Sequence, residues 1–281
     1  MPQRWLITGS SRGLGRALAE AALAAGHRVV ATARDPRSLA DLAERHGDAV
    51  RLAALDVTDP EAAARAVALA TEAFGGLDVV VNNAGYGDIG SVEDTSLEDF
   101  RKQIDANLFG AIIVTKAAIP LLREQRSGHF IQISSVGGRL GAPGRAAYSA
   151  AKWAIEGFSE VLAQEMTLVG VKVTIVEPGG FRTDFAGAST KLEAGRPEYD
   201  AVVGRAARMQ AQYDGRQPGD PKRAAQVLLQ LAAMDAPPLR LPLGSDAIAA
   251  ISGSDQRRLA ELERWGALSA STDFDDPDQG R

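Results

Sequence analysis

The chain has 281 residues, of which 45% are hydrophobic and 24% charged, and these are ordinary proportions for a folded globular protein. Its 31 Lys and Arg against 36 Asp and Glu give a formal net charge of −5, which argues against a nucleic-acid partner. The absence of cysteine excludes disulfides, a thiol nucleophile and thiolate metal sites, and fits a reducing compartment. Since no apolar run approaches about 20 residues and no signal-peptide pattern opens the chain, we expect a cytoplasmic protein with no membrane partner.

Short apolar runs alternate with longer Ala- and Leu-rich segments, a rhythm typical of βαβ units. The runs are almost continuously apolar, as expected for a parallel sheet covered by helices on both faces. We therefore predict an α/β fold with a doubly wound parallel sheet. The predicted strands, in chain order, are residues 5–8, 28–33, 50–55, 78–81, 129–134 and 171–176.

The chain has no internal repeat or linker before about residue 180, which indicates one continuous sheet. Residues 1–250 are predicted to form one domain, and within it the Gly-, Pro- and aromatic-rich segment 178–220 is predicted to form a lid. Residues 251–281 are expected to hold a helix around residues 256–265 and an acidic tail that frays. The tail carries Asp273, Asp275, Asp276 and Asp278.

A glycine cluster, Thr8-Gly9-Ser10-Ser11-Arg12-Gly13-Leu14-Gly15, follows the first strand and precedes an amphipathic helix. In this position backbone N–H groups and the helix dipole can hold a pyrophosphate, with Gly9 for the turn, Gly13 for close approach and Gly15 for helix packing. The alternative is a flexible Gly-Ser turn without a ligand. The predicted dinucleotide contacts in this turn are Gly9, Ser11, Arg12, Gly13, Leu14 and Gly15.

The end of the second strand favours NADP over NAD. NAD sites place an acid on the ribose hydroxyl, whereas NADP sites offer a cation to the 2′-phosphate. Asp35 precedes Pro36 and is predicted to cap a helix, which leaves Arg34 at the strand tip. Arg12 is a second guanidinium suited to the same phosphate. The alternative reading makes both arginines solvated surface charges, and Asp35 is the residue that would favour NAD.

Tyr148 and Lys152 are four residues apart on a predicted helix, so they share one face. A nearby ammonium stabilises a phenolate, which would let Tyr148 exchange protons with a substrate oxygen. The alternative is an ordinary helix with a buried tyrosine and an exposed lysine, which would show the same spacing. Two strand ends add polar groups at the carboxyl edge of the sheet, Ser134-Ser135 and Asn82-Asn83-Ala84-Gly85.

Together with Pro178-Gly179-Gly180-Phe181-Arg182-Thr183, these motifs occur in the order found in short-chain dehydrogenases/reductases, which residues 3–250 resemble. The resemblance implies a single Rossmann domain with seven parallel strands, the last near residues 239–241. It also implies Tyr148 as acid/base, Lys152 as its partner on the nicotinamide ribose, Ser135 as the substrate-orienting serine and Asn107 in a proton relay. From the sequence alone, Asn107 reads as a packing residue. The implied cofactor contacts are Asp56, Val57, Asn83, Ala84, Gly85, Tyr148, Lys152, Pro178, Gly179 and Thr183.

The expected activity is NADP-dependent interconversion of a carbonyl and an alcohol by hydride transfer. The alternative is a catalytically silent NADP-binding sensor or scaffold. No serine-hydrolase elbow and no His-rich or Cys cluster is present, so no metal is expected. Large apolar side chains in the predicted lid indicate a lipophilic small-molecule substrate. Alternatively, they only close the core. They are Phe181, Phe185, Tyr199, Met209 and Tyr213. A homo-oligomer is expected, either a dimer through the helices that contain Asn107 and Tyr148 or the family's common tetramer, against which the long C-terminal segment argues.

Overall fold

One parallel sheet organises the protein. The computed structural model describes residues 2–185, 190–193 and 195–274. Within them the strand order is β3-β2-β1-β4-β5-β6-β7 and every pairing is parallel. The predicted doubly wound α/β fold is confirmed, and each predicted strand lies within two residues of an observed one. The strands are β1 (Arg4–Ile7), β2 (Arg28–Ala33), β3 (Val50–Ala54), β4 (Val79–Asn82), β5 (Gly128–Ile133), β6 (Val171–Pro178) and β7 (Arg240–Leu243).

Helices cover both faces of the sheet. Two begin at side-chain caps, in which the Asp59 carboxylate accepts from Glu61 N and the Ser96 hydroxyl accepts from Asp99 N. Asp35 caps a short 3₁₀ turn rather than an α-helix. In the described ranges the helices are α1 (Gly13–Ala24), α2 (Ala40–His46), α3 (Pro60–Phe74), α4 (Leu97–Ile104), α5 (Gly110–Gln125), α6 (Ala146–Thr167), α7 (Arg205–Tyr213), α8 (Pro221–Ala233) and α9 (Ser245–Ala270).

Alternation along the strands creates two separate cores. Trp5 and Ile7 face α1 and α8, whereas Leu6 between them faces α3 and α5. All three side chains are fully buried, so both faces of β1 are covered. This explains why the strands read as continuous apolar runs instead of alternating ones.

The order of the strands reverses between β1 and β4. β1 pairs with β2 on one side and with β4 on the other, and the chain winds outward in opposite directions from this pair. In open α/β sheets, ligands bind in the crevice at the carboxyl ends of the strands at such a point. The Gly-rich turn after β1 and the Asn-rich segment after β4 both lie there.

Helices α4 and α5 are joined by a π-turn, Asp105–Phe109, into one stretch Leu97–Gln125 of 29 residues. By length and composition alone this stretch could cross a membrane, although Lys116 interrupts its apolar run. In the fold, Val114, Ala118 and Leu122 are completely buried against the sheet, as in the core helix of a globular domain. The π-turn places Asn107 at the cleft.

The C-terminal region differs from its predicted boundaries. The helix expected at 256–265 begins at Ser245, directly after β7, and runs to Ala270. Asp275, Asp276 and Asp278 of the predicted tail lie outside the described residues. In the predicted lid, segment 178–220, the chain forms a 3₁₀ turn (Pro197–Tyr199), a π-turn (Asp200–Gly204) and α7. Lid residues 186–189 and 194 also lie outside the described ranges.

Candidate active site

The glycine-rich turn forms a cradle between β1 and α1. Gly9 and Gly13 have φ angles of 69° and 59°, in the left-handed region that glycine adopts readily. A Cβ on Gly15 would lie 2.4 Å from the Gly9 carbonyl oxygen, so only glycine fits. No side chain caps α1, and its first turn has no acidic residue. The free N–H groups and the positive dipole end therefore suit a phosphate.

The remaining predicted contacts of this turn surround the same cradle. Leu14 packs against the core beside α1, and Ser11 is half-buried. Thr183, far along the chain, approaches the turn, since a Cβ on Gly13 would lie 3.4 Å from the Thr183 Cβ. The fold thus brings one predicted nicotinamide-side residue next to the predicted phosphate site.

Two exposed guanidinium groups, Arg12 and Arg34, border this end of the cleft. Within the described residues no side chain forms a hydrogen bond or close ion pair with either. Asp35, the residue that would favour NAD, already binds Arg37. Its carboxylate accepts from Arg37 N at 3.0 Å and forms an ion pair with the Arg37 guanidinium at 2.8 Å. Bonds from Arg37 lower the pKa of Asp35.

Tyr148 and Lys152 lie on the inner face of α6, and both are at least nine-tenths buried. The Lys152 Nζ lies 5.7 Å from the centre of the Tyr148 ring and donates to the Ile133 carbonyl oxygen at 2.8 Å. Burial lowers the pKa of Lys152 to about 8. The pKa of Tyr148 is raised, because burial outweighs the opposing effects of Ser135 and Arg145. The lowering of the Tyr148 pKa by Lys152 that the spacing predicts is therefore not seen.

The two serines after β5 have different environments. Ser135 caps a 3₁₀ turn, Val136–Gly138, and accepts from Gly137 N at 3.0 Å. A Cβ on Gly137 would lie 3.2 Å from Tyr148 Cε1 and 3.5 Å from Ser135 Oγ, so the two side chains meet above this glycine. Ser134 instead donates to the buried Glu156 carboxylate at 2.5 Å. Ser135 is the hydroxyl next to Tyr148, as the spacing predicts.

Asn107 lies in the π-turn and is buried. Its amide nitrogen donates to the carbonyl oxygens of Tyr86 and Gln103 at 2.7 and 2.8 Å. Its Oδ1 is buried without a hydrogen-bond partner in the described residues. A Cβ on Gly85 would lie 2.4 Å from this oxygen and 3.7 Å from Lys152 Nζ, so the orphan acceptor lies on the lysine side of the cleft. π-turns are frequent at functional sites.

The ends of β1 and β4 are joined by partly buried hydrogen bonds. The Thr8 hydroxyl accepts from the backbone N–H groups of Asn83 and Ala84 at 2.9 and 3.0 Å. The Asn83 side chain donates to the Thr8 and Gly9 carbonyl oxygens at 2.9 and 3.2 Å. These bonds hold the segment Asn83-Ala84-Gly85 against the glycine cradle, so the predicted adenosine side and phosphate side form one surface.

Asp56 and Val57, the predicted adenine contacts, follow β3 at the same edge. Asp56 Oδ1 accepts from the Thr58 N–H and hydroxyl at 3.0 and 2.7 Å, an Asx turn that lowers the pKa of Asp56. Val57 contacts α5, since a Cβ on Gly110 would lie 2.4 Å from Val57 Cγ2. The local turn thus fixes Asp56 while Val57 packs on the helix.

The predicted nicotinamide-side segment, which begins at Pro178, is held by the start of α9. Gly180 N donates to Asp246 Oδ2 at 2.7 Å. A Cβ on Gly179 would lie 2.5 Å from both Asp246 carboxylate oxygens, so a larger residue would displace this carboxylate. The sequence contains no local signal for this contact, because Asp246 is 66 residues from Gly180.

The four aromatic residues and the methionine of the predicted lid have different environments. Phe185 lies against the site, with its ring centre 5.6 Å from that of Tyr148. Phe181 packs on the core, Tyr199 donates to Glu93 at 2.5 Å, and Met209 is more than half exposed. Tyr213 covers Gly180. Of these five, Phe185 is the one whose ring contacts the Tyr148 ring.

A cavity of about 160 Å³ adjoins the N-terminal end of α6. Its lining is largely polar, in contrast to the apolar wall formed by Phe185. Among the described residues, no group of three or more His, Asp or Glu side chains is placed to hold a metal ion. The lining residues are Asp88, Ile89, Gly90, Asp94, Thr95, Ser96, Asp99, Gln103, Gly144, Ala146, Ala147, Lys191 and Glu193.

Sequence reasoning misses Arg145. The residue stands at the N-cap of α6, and its guanidinium carbon lies 5.8 Å from the centre of the Tyr148 ring. A signal for it exists in the sequence, because a cation three residues before Tyr148 shares its helix face. The cleft thus joins a phosphate cradle, a buried Tyr–Lys pair, a serine hydroxyl and an orphan amide oxygen.

The comparisons with known proteins agree with this arrangement. A family model described as short chain dehydrogenase matches residues 3–194. The chain belongs to the short-chain dehydrogenase family. Members of this family are oxidoreductases that use a nicotinamide cofactor.

Among its relatives, oxidoreductase BOA17 of Botryotinia fuckeliana is 46% identical, with 97% of this chain and all of that protein covered. A 3-ketodihydrosphingosine reductase of Bacteroides thetaiotaomicron is 34% identical over 86% of this chain and 88% of its own length. The crystal structure of a short-chain dehydrogenase from Streptomyces avermitilis superposes with a TM-score of 0.90 at 40% identity, covering 97% and 98% of the two chains. An alcohol dehydrogenase from Thermococcus sibiricus complexed with 5-hydroxy-NADP gives a TM-score of 0.70 at 26% identity, covering 86% and 96%.

Proposed function

We propose that the protein is an NADP(H)-dependent oxidoreductase that interconverts a carbonyl and an alcohol, the class of reaction numbered EC 1.1.1. The observation that carries the proposal is the meeting of Tyr148 and Ser135 above Gly137, with the Lys152 ammonium beside the same ring. A hydroxyl that moves a proton, a hydroxyl that orients an oxygen and a buried cation are the groups that this reaction needs.

In the reductive direction Tyr148 is the acid. Its raised pKa keeps the phenol protonated at neutral pH, so the hydroxyl can give its proton to the carbonyl oxygen. Ser135 donates a hydrogen bond to the same oxygen and fixes its position. Lys152 is the group that can return a proton to Tyr148, and the orphan Oδ1 of Asn107, on the lysine side of the cleft, can accept a hydrogen bond from this relay. The bound nicotinamide supplies or accepts the hydride.

The residues present fit a dinucleotide. The Gly9–Gly15 turn leaves room where a Cβ would clash, and the uncapped start of α1 offers free N–H groups. Asp56, Val57 and Asn83-Ala84-Gly85 would hold the adenosine side, and Pro178, Gly179 and Thr183 the nicotinamide side. Lys152 would hold the ribose next to the nicotinamide.

The preference for NADP rests on Arg12 and Arg34. Both are exposed at the cradle, and in the described part of the chain neither guanidinium forms a hydrogen bond or a close ion pair, although Arg34 acts on Asp56 by its charge. Asp35, by contrast, is paired with Arg37. We expect Arg34→Ala to weaken NADPH binding about tenfold or more and NADH binding little, because a 2′-phosphate loses a charge-assisted bond. Fluorescence titration with both nucleotides measures this. Equal losses for the two would refute the assignment.

The substrate is proposed to be a lipophilic ketone, aldehyde or alcohol. The Phe185 ring beside Tyr148 supports this proposal. So does the name of the Bacteroides relative, which describes a reductase of a keto compound. The polar cavity at the end of α6 would accept a polar group on the same molecule.

A catalytically silent NADP-binding sensor is the second candidate, and one variant separates the two. Tyr148→Phe is expected to abolish turnover while NADPH still binds, since only the phenolic hydroxyl is removed. NADPH oxidation across a panel of ketones and aldehydes measures turnover, and fluorescence titration measures binding. Activity retained in the variant would remove the proposed acid, and a wild-type protein that binds NADPH tightly but oxidises it with no carbonyl would favour the sensor.

A homodimer through α5 and α6 is proposed as the state in solution. Support comes from apolar side chains exposed on this side of the fold, namely Phe109 in the π-turn, Trp153 and Val161 on α6 and Leu168 at the C-cap of α6. The long α9, in place of a short C-terminal end, is the reason to expect a dimer rather than a tetramer. The molar mass by light scattering tests the proposal.

A further inference from the structure

Two cations flank the Tyr148 ring. The Lys152 Nζ lies 5.7 Å from the ring centre and the Arg145 guanidinium carbon 5.8 Å, so the two are nearly equidistant. Arg145 is also 6.0 Å from the centre of the Phe185 ring. Arg145, the N-cap residue of α6, and Lys152, within the helix, stand three residues before and four residues after Tyr148, so the start of α6 brings the three side chains close together.

Arg145 is held by neutral acceptors. Its Nη1 donates to the Gly87 carbonyl oxygen and its Nη2 to Gln210 Oε1, both at 3.1 Å. In the ranges that the structure describes, no carboxylate forms an ion pair with it. Burial lowers the pKa of Arg145, which is the cost of placing an unpaired cation in this position. By contrast, Arg139 and Arg240, which are also partly buried, pair directly with Glu177.

The position of the guanidinium is constrained from two sides. A Cβ on Gly87 would lie 2.6 Å from Tyr148 Cδ2 and 3.2 Å from Arg145 Nη1, so the Gly87 backbone packs on both side chains. Gln210 reaches Arg145 from α7, on the lid. The cation is therefore placed by the loop after β4 and by the lid, as well as by its own helix.

We propose that Arg145 is a positioning residue that stabilises the phenolate of Tyr148 electrostatically, a role that rests on the proposed acid/base function of Tyr148. When Tyr148 protonates the substrate oxygen, its O–H bond breaks and the phenol becomes a phenolate. The new negative charge is the counter-charge that Arg145 otherwise lacks. In the reverse direction the phenolate takes the proton back from the alcohol.

A second cation has a specific use here. Lys152, with a pKa of about 8, loses its charge as the solution becomes alkaline, whereas a guanidinium stays charged. Arg145 thus maintains a positive charge beside Tyr148 when Lys152 is neutral. The interaction is reciprocal, since Arg145 lowers the pKa of Tyr148 and Tyr148 raises that of Arg145.

The charged groups that face this pair come from two elements. Lys152 belongs to α6, and Asp88, in the loop after β4, acts on Arg145 by its charge. The other groups in contact are the Ser135 hydroxyl, the Phe185 ring and the Gln210 amide, which carry no charge. Asp88 reduces the effect of Arg145 on the phenolate but does not pair with it directly.

The test compares Arg145→Gln and Arg145→Met with Arg145→Lys, which keeps the charge. In the oxidative direction kcat/KM rises with pH as Tyr148 loses its proton, and this rise forms the acidic limb of the pH profile. Both neutral variants should shift the midpoint of this limb to higher pH by about one unit. That shift lowers kcat/KM about tenfold below the limb. Arg145→Lys should retain the wild-type limb. Arg123→Gln on α5 removes an exposed positive charge and should leave the profile unchanged.

A second readout does not need turnover. The chain has four tyrosines, so the near-ultraviolet tyrosinate titration of Tyr148→Phe, subtracted from that of the wild type, isolates Tyr148. The same subtraction in the Arg145→Gln background should show Tyr148 titrating about one pH unit higher. Because this measurement is independent of catalysis, it remains valid if Tyr148→Phe stays active and the proposed function fails.

Three results would overturn the proposal. The first is an unchanged pH limb and an unchanged Tyr148 titration in the neutral variants. The second is a rise in KM confined to substrates that carry a carboxylate, with an unchanged limb, which would make Arg145 an anchor for a substrate anion. The third is a loss of kcat/KM in Arg145→Lys equal to that in the neutral variants, with no shift of the limb in any of them, which would indicate a structural role only.

Discussion

The two walls of the cleft are built differently. The sheet wall, comprising the turn 8–15 and the segment 82–85, is held by partly buried hydrogen bonds between Thr8 and Asn83. The lid wall, comprising the loop 86–95 and the described part of segment 178–220, is joined partly by exposed polar contacts such as Arg196–Asp94 and Tyr199–Glu93. Exposed ion pairs contribute little stability, whereas hydrogen bonds removed from water fix geometry more firmly. We therefore expect the sheet wall to be the more rigid of the two.

The largest expected effect breaks the sheet wall. Gly15→Ala places a Cβ against the Gly9 carbonyl and the Asn83 amide, each 2.4 Å away in the present geometry. Backbone cannot yield as a flexible side chain does, so we expect a loss of about 1–3 kcal/mol in the free energy of unfolding and at least about a tenfold loss in NADPH affinity. Chemical denaturation and nucleotide titration measure these quantities.

Gly266→Ala is the matched control. Gly266 lies in α9, and a Cβ there would meet no atom within 4 Å. The variant should bind NADPH normally and gain up to about 1 kcal/mol in helix stability. If Gly15→Ala behaved like this control, the glycine cradle would not be the rigid element described above.

An intermediate effect concerns the sheet that supports this wall. His129, on β5, is buried with its Nε2 3.0 Å from Thr174 Oγ1, and burial lowers its pKa to about 4. The unfolded chain then binds the proton more tightly, so stability is full above about pH 6.5 and is lost as the pH falls towards 4. The loss attributable to His129 is up to about 3 kcal/mol.

Urea unfolding of the wild type and of His129→Gln at several pH values measures this contribution. The variant should lose less stability than the wild type between pH 6.5 and 4. Parallel pH curves for the two proteins would contradict the assignment to His129.

The smallest effect on stability is expected on the lid wall. Arg196→Ala removes an exposed pair with Asp94, so the free energy of unfolding should change by less than about 1 kcal/mol. Because the pair joins the two segments of the lid wall, we expect KM to rise several-fold with unchanged NADPH affinity. Arg65→Ala, which removes an exposed pair on α3, should change neither. A large loss of stability, or a KM like the wild type's, would mean that the two walls do not differ as described.

The sheet was predictable because its signals are local. The strands of the first 180 residues read as apolar runs, and their predicted limits lie within two residues of the observed ones. The caps at Asp59 and Ser96 are likewise local hydrogen bonds. The start of α9 was misjudged, because Ser245 follows β7 after a single glycine and its turn carries no cap that could have marked it.

The candidate site divides in the same way. Gly9, Gly13, Gly15, Tyr148 and Lys152 could be named from spacing, since each set lies on one turn or one helix face. The contact of Asp246 with Gly180 could not, because it joins residues far apart in the chain. The meeting of Arg145 with Gly87 and Gln210 requires three separate elements to pack together.

The amino-acid sequence by itself determined the order of strands and helices, the glycine turn, the Tyr–Lys spacing and the family, because these depend on local periodicity and short-range geometry. Only the tertiary structure decided that burial raises the pKa of Tyr148 and that an unpaired guanidinium stands beside the Tyr148 ring. Desolvation and charge pairing depend on which groups pack around a side chain, and that is a property of the folded chain.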